Sequence, residues 1–281
     1  MDRVKILKEI AAQAESGNLV FPTSLHAALK IRQALSDPDC HVEEATRLVQ
    51  TEPLLSARVV AMANAAAMNR SGRQITDVRT AVSRVGFRTL HTLATALVTR
   101  QFASATTNPD LQEKAAQLWR HTAHVSALAH LIARRITHLD PETAMFAGIV
   151  HEVGGFYLLS RAEGHPGLLE GDPADWIEHG ERQIGRAVLQ RLMIPEEVMQ
   201  AVEAVWDGYM ALPPVTLGDT LLLANNLAPV DSPLYELKGP DGGKADHSGA
   251  VIDYASGDET LAGILKESIE EVDSMSQALE F

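Results

Sequence analysis

Residues 143–160 read TAMFAGIVHEVGGFYLLS, an apolar run into which His151 and Glu152 are set side by side. Ala144, Ala147, Gly148 and Val150 precede the pair, and Gly154, Gly155, Phe156, Leu158 and Leu159 follow it. The pattern predicts a helix buried over most of its circumference. An imidazole and a carboxylate inside such a helix are costly unless they are hydrogen-bonded in the core or ligate something, so the pair is the first candidate site.

Helical signals dominate both flanks. Upstream, a short amphipathic helix over about Val4–Ala14 closes at Ser16-Gly17-Asn18, and Phe21-Pro22-Thr23-Ser24 opens a second that runs through Leu35. Asp37-Pro38-Asp39 breaks the chain before a third over His41–Thr51, and Glu52-Pro53 leads into a fourth over Leu54–Met68. Asn69 to Arg73 is a polar loop, Asp77 caps a helix to about Arg84, and Gly86 separates it from Arg88–Phe102. Gly86 lets two helices pass closely or takes a left-handed conformation, and Asn64 is expected to bond neighbouring backbone in the core.

The small and polar run Ala103–Asp110 is the best internal boundary. After it come a long helix over Leu111–Ile136 carrying Trp119, His121, His124 and His130, the central stretch, a Gly- and Pro-containing loop from Glu163 to Pro173, and helices near 176–193, 195–206 and 215–228. No alternating Val/Ile/Thr run argues for a sheet before residue 230. The expected fold is all-α, with two packed helical subdomains over 1–105 and 106–230. Residues 231–281 form an irregular acidic tail that ends in a helix over Glu259–Leu279, with Leu261, Ile264, Leu265, Ile269 and Val272 on one face. Asp231–Asp258 reads as a long loop with room for a hairpin.

The chain carries 37 acids against 24 bases, a net charge of −13. From Asp231 onward there are 12 acids and 3 bases, so the acidity is concentrated in the tail. Such a surface does not attract nucleic acid. Cys40 is the one cysteine, which permits no internal disulfide and suits a reducing compartment. No run is long and apolar enough to cross a bilayer and the first helix is charged throughout, so a cytoplasmic location without membrane contact is expected.

Three blocks of the first half, FPTSLHAALKIRQAL, EATRLVQTEPLLSARVVAMANAAAMN and ITDVRTAVSRVGFRTLHTLATAL, resemble the N-terminal half of the HDOD domain in order and spacing. Glu52-Pro53-Leu54, Ala63-Asn64 and Val85-Gly86 stand at its motif positions. The second half continues the likeness: LWRHTAHVSALAHLIA and AGIVHEVGGFYLL are similar to its histidine-bearing helices. The resemblance implies an HD-like bundle over 106–230, and descent from metal-dependent phosphohydrolases that bind divalent ions through a distant His, an adjacent His-Asp pair and a later Asp.

Carried over residue by residue, the resemblance places the first His at His121 and the second at His151, while Glu152 replaces Asp and the last Asp falls at Asn225 or Asn226. Glutamate keeps the charge on a longer arm, and an amide is a neutral, weaker ligand. The extra histidines of the related HD-GYP phosphodiesterases would fall near Glu181 and within Val202–Asp207, where this chain has none. His121, His151, Glu152 and Asn225 therefore read as vestigial positions; were an ion retained, His121, His151 and Glu152 would be its ligands. No metal, no cofactor and no catalysis are expected.

Arg58, Arg70, Arg73, Arg79, Arg84, Arg88 and Arg100 against Asp77 alone give residues 58–100 a charge of +6. Arg70, Arg73, Arg79, Arg84 and Arg88 form a candidate patch for an anion, an acidic partner or the chain's own tail. The resulting reading is a non-catalytic signalling or regulatory module that works through contacts with signalling proteins. A nucleotide second messenger and self-association are compatible with it. The alternative is a metal-dependent phosphohydrolase acting on nucleotides or cyclic dinucleotides through an altered site.

Overall fold

In the computed structural model the described residues are 2–19, 25–102, 106–235, 255–256 and 259–280. The expected helix opening at Phe21–Ser24 and most of the loop between Asp231 and Asp258 lie outside them.

The first half contains α1 (Arg3–Glu15), α2 (Leu25–Leu35), α3 (Val42–Gln50), α4 (Pro53–Asn64) and α5 (Val78–Gln101). The second contains α6 (Pro109–Ile132), α7 (Pro141–Val150), α8 (Val153–Ala162), α9 (Pro173–Trp176), α10 (Arg182–Arg191), α11 (Glu196–Asp207) and α12 (Leu217–Leu227). A two-residue antiparallel pair, Ala255–Ser256 with Glu259–Thr260, leads into α13 (Leu261–Glu267) and α14 (Ile269–Leu279). Among the described residues the fold is all-α apart from that pair.

Helix starts follow from local chemistry. Asp77 and Asp140 accept backbone N–H bonds as N-caps, Pro109 and Pro141 occupy first turns where their missing N–H costs nothing, and Thr216 with Asp219 makes a capping box. Gly86 adopts φ 77° inside α5, a conformation open to glycine, and bends the helix there; a Cβ on it would meet nothing within 4 Å, so its role is the backbone angle and not close passage of another helix. Asn64 bonds the carbonyls of Val60 and Ile75 and the N–H of Ile75, as expected of a core asparagine.

α5 packs on α2, α3 and α4 and on α7 of the second half, while α6 is the central strut against α7, α12 and α14. Close approach depends on glycine: a Cβ on Gly148 would stand 2.5 Å from Ser126 Cα, and one on Gly154 would stand 2.8 Å from Gly185 Cα. Although α1 opens the first half, it lies on α10, and its Arg3 guanidinium bonds the carbonyls of Leu168 and Asp172 before α9 and the Asp175 carboxylate within it.

Two expectations need correction. The central stretch is not one helix. The chain turns at His151 and Glu152, so the pair stands at the corner between α7 and α8 rather than inside a helix. The terminal helix is also two helices, broken at Ser268; the break carries Ile269 off the apolar face, where it is 63% exposed, while Leu261, Ile264, Met275 and Leu279 are buried. Among the described residues no helix is long and apolar enough to cross a membrane.

Candidate functional site

α6 carries His121 inward, the α7/α8 corner carries His151 and Glu152, and α12 carries Asn225. All three ionisable side chains are buried. The Nε2 atoms of His151 and His121 are 3.3 Å apart, His121 Nε2 is 3.2 Å from Asn225 Oδ1, and it is 3.7 Å from Glu152 Oε1.

The outer nitrogens decide the protonation. His121 Nδ1 lies 2.7 Å from the Val230 carbonyl, and His151 Nδ1 lies 2.7 Å from the Gly148 carbonyl. A carbonyl only accepts, so each Nδ1 carries the proton and each Nε2 presents a lone pair. Burial lowers the pKa of both rings, that of His151 to about 3 with His121 adding to the effect, so both are neutral at pH 7. Two lone pairs therefore face one another. A donor answers them: the Asn225 amide turned with its N–H inward, the protonated Glu152 carboxyl, or a cation.

The donor atoms of His121, His151 and Glu152 all lie within 4.8 Å of one another. Tetrahedral zinc with 2.1 Å bonds sets its ligand atoms roughly 3.4 Å apart, so the cluster needs little contraction to fit an ion. Backbone carbonyls that fix the imidazole tautomer are the supports metal-bound histidines use. On the chemistry of the donor set, a divalent cation fits. The close approach of His121 to Glu152 is not an ion pair, because the imidazole is neutral and burial raises the Glu152 carboxyl to about 8.

Above this cluster lies a segment from the chain following α12. Ser232 Oγ donates to Glu152 Oε2 at 2.9 Å, and the Tyr235 hydroxyl donates to Glu181 Oε1. Leu234 sits directly against Gly155, in space a Cβ there would need. Glu181, buried at the end of a single π-helical turn (Ile177–Glu181), has its pKa raised by that burial, with the Tyr235 bond and Arg182 opposing. What remains open is a cavity of about 10 Å³ bounded by His151, Glu152, Trp176, Glu181, Trp206 and Tyr235. That is room for roughly one water.

The sequence-derived ligand positions thus converge, and the structure chooses Asn225, since Asn226 is exposed. His124 bonds the Arg120 carbonyl and His130 is buried beside Glu142, so neither joins the cluster. The arginine patch is less unified. Arg79 pairs with Glu43, Arg84 bonds the Met68 carbonyl, Arg88 pairs with Asp140, and Arg70 and Arg73 are exposed on their loop. The described part of the tail reaches only the ends of the wider basic run, where Glu280 faces Arg58 and Arg100; Glu271 pairs with Arg134 at 2.7 Å and Glu267 with Arg135 at 3.7 Å, outside that run. Sequence reasoning missed Ser232, Leu234 and Tyr235, and met Glu181 only as a place lacking a histidine. The one available signal was the apolar Pro233-Leu234-Tyr235 island in an acidic stretch.

The HDOD domain family model matches residues 21–207, more than half of the chain. No curated protein matches. Among solved structures, one from Shewanella amazonensis SB2B, provisionally described as a metal-dependent phosphohydrolase, is 22% identical with a TM-score of 0.69 and 100% of both chains covered. An HDOD domain protein with unknown function from Geobacter sulfurreducens is 21% identical with a TM-score of 0.64, covering 98% of this chain and 99% of that one. One from Marinobacter aquaeolei VT8, provisionally described as a signal transduction protein, is 16% identical with a TM-score of 0.57, covering 100% of this chain and 67% of that one. At these identities the likeness is one of fold. The family match ends before Asn225 and before the segment over the cluster.

Proposed function

The chain belongs to the HDOD family, and from that premise we propose that it is a non-catalytic regulatory module that works through contacts with other proteins. Family membership and the signal-transduction description of one fold relative fit a regulatory role. The single observation that carries the non-catalytic part is closure: the space over the His121–His151–Glu152 cluster is filled by Ser232, Leu234 and Tyr235, leaving about 10 Å³. A phosphoryl group needs far more room than one water. Hydrolysis of bis-p-nitrophenyl phosphate and of nucleotides with added Mn²⁺ or Zn²⁺, compared between wild type and His121→Ala/His151→Ala, tests this. Equal background rates are expected, and a metal-dependent rate that vanishes in the variant would refute it. For the contact surface, Arg70→Glu/Arg73→Glu should weaken binding to a co-purifying protein without changing the melting curve.

One observation favours a second reading, a metal-dependent phosphohydrolase: the two Nε2 lone pairs converge on one point. His121, His151, Glu152 and the Asn225 carbonyl would hold the ion, which when bound lowers the pKa of a water and makes it a nucleophile. The carbonyls of Val230 and Gly148 hold both imidazoles in the ligating tautomer, and the enclosing tryptophans exclude bulk water. Elemental analysis of protein purified without chelator, for wild type and His151→Ala, separates the two readings. Stoichiometric metal lost in the variant supports the second.

A further inference from the structure

We propose that Ser232–Tyr235 is an autoinhibitory strap, an internal occupant that must lift away, hinged at Val230, before the cleft between α6, α8 and α10 takes a divalent cation. Each strap contact answers a group of the cleft. The Ser232 hydroxyl donates to Glu152 and the Tyr235 hydroxyl to Glu181, so the strap covers the two carboxyl groups that an entering cation would meet. Leu234 occupies the recess left open by the absent side chain of Gly155, and Ser232 and Pro233 are buried. The cleft is shaped to the strap.

The strap is also built to come off. It is not part of a helix, Leu234 and Tyr235 are only half-buried, and its own backbone is held by a turn in which Tyr235 N–H bonds the Ser232 carbonyl. Lifting it therefore breaks two hydroxyl bonds and the packing of Pro233, Leu234 and Tyr235 on the core, while leaving the helices intact. Val230 stays, and its carbonyl keeps His121 in the tautomer that offers Nε2 inward in both states. Gln117 Nε2, donating to the Asp231 carbonyl at 3.1 Å, marks the fixed end of the hinge.

A cleft that is closed most of the time binds its ligand more weakly by the fraction of time it is open, so loosening the strap raises apparent affinity without touching a ligand. The probes are Zn²⁺ and Mn²⁺ alone, titrated calorimetrically into the full chain. Ser232→Ala/Tyr235→Phe should bind Zn²⁺ at least about tenfold more tightly than wild type, and adding His151→Ala should abolish the gain. Tyr235→Phe alone, which keeps the ring and its packing, is run in parallel in case the double variant does not fold, and should give a smaller gain of the same sign. In wild type, Zn²⁺ should speed amide exchange at Leu234 and Tyr235.

A folded variant that binds no more tightly than wild type would overturn the strap, as would a gain that survives His151→Ala. The inference goes beyond the regulatory reading and shares only its donor set with the second. Metal bound equally well by wild type and variants would sink the strap and leave the second reading standing. A search that finds no protein partner would sink the regulatory reading and leave the strap untouched.

Discussion

Replacing Glu152 with glutamine should flatten the alkaline side of the stability profile. Burial raises this carboxyl from 4.5 to about 8, Glu181 adds to the rise, and the Ser232 hydrogen bond opposes it. The folded state therefore holds a proton that the unfolded state has already lost between those values, so stability falls as pH rises through that window and levels off above it. At about 1.4 kcal/mol per pH unit, most of the slope applies between pH 6.5 and 8, a loss of about 2 kcal/mol from this group. The depressed histidines do not obscure the window: His151 at about 3 and His91 at about 4 contribute stability that is lost only as pH falls below their ordinary 6.5. Glu181, raised by its own burial, adds in the same sense as Glu152 and remains in the variant. Glutamine is the isostere of the protonated acid and still accepts from Ser232. Urea unfolding in chelator at pH 6.5 and 8 measures the effect, with wild type expected to lose about 2 kcal/mol more than Glu152→Gln over the interval. Identical losses in both proteins would refute the assignment of a buried neutral carboxyl.

Other substitutions read the packing directly. Gly148→Ala forces its Cβ against Ser126 backbone at 2.5 Å, and should cost about 1–3 kcal/mol or more, seen as a lower Tm. Asp219→Ala removes the acceptor for the N–H groups of Ala211, Val215 and Thr216 and for the Thr216 hydroxyl; a loss of at least about 2 kcal/mol in urea, with faster amide exchange over 211–216, is expected. Leu279→Ala empties a fully buried site in α14 and should cost about 2–5 kcal/mol in the same assay.

Much of the fold is legible because its signals are local. Asp77, Pro109, Pro141 and the Thr216–Asp219 box mark helix starts by bonds made within a turn, and Gly86 announces its own left-handed conformation. The ligand positions are legible for another reason, since a family pattern carries spacing that periodicity does not. Where prediction fails, the cause is tertiary. Apolar residues on both sides of His151 and Glu152 fit a continuous helix equally well, and what turns the chain there is the docking of α8 on α10 through Gly154 and Gly185, which no window of sequence contains. Ile269 has the right spacing for the buried face, but the bend at Ser268 rotates it outward. Ser232 and Tyr235 reach partners 80 and 54 residues away, and nothing beside them in the sequence names those partners.

The two outer helices cross over. α1 belongs to the first half in order but is held on α10, while α14 lies against both α4 and α6, with Ser274 receiving the Ala66 N–H and the Leu279 carbonyl receiving Trp119. The first half thus lends α1 to the second, and the tail's α14 ties the two halves together, two noncovalent clasps. The halves should not be separable foldons: a single calorimetric transition is the expected melting behaviour. Recombination at the 103–110 boundary would not pass on a self-sufficient unit, because either product would leave with one clasp unfastened and apolar surface bare. A fold fastened this way is inherited whole.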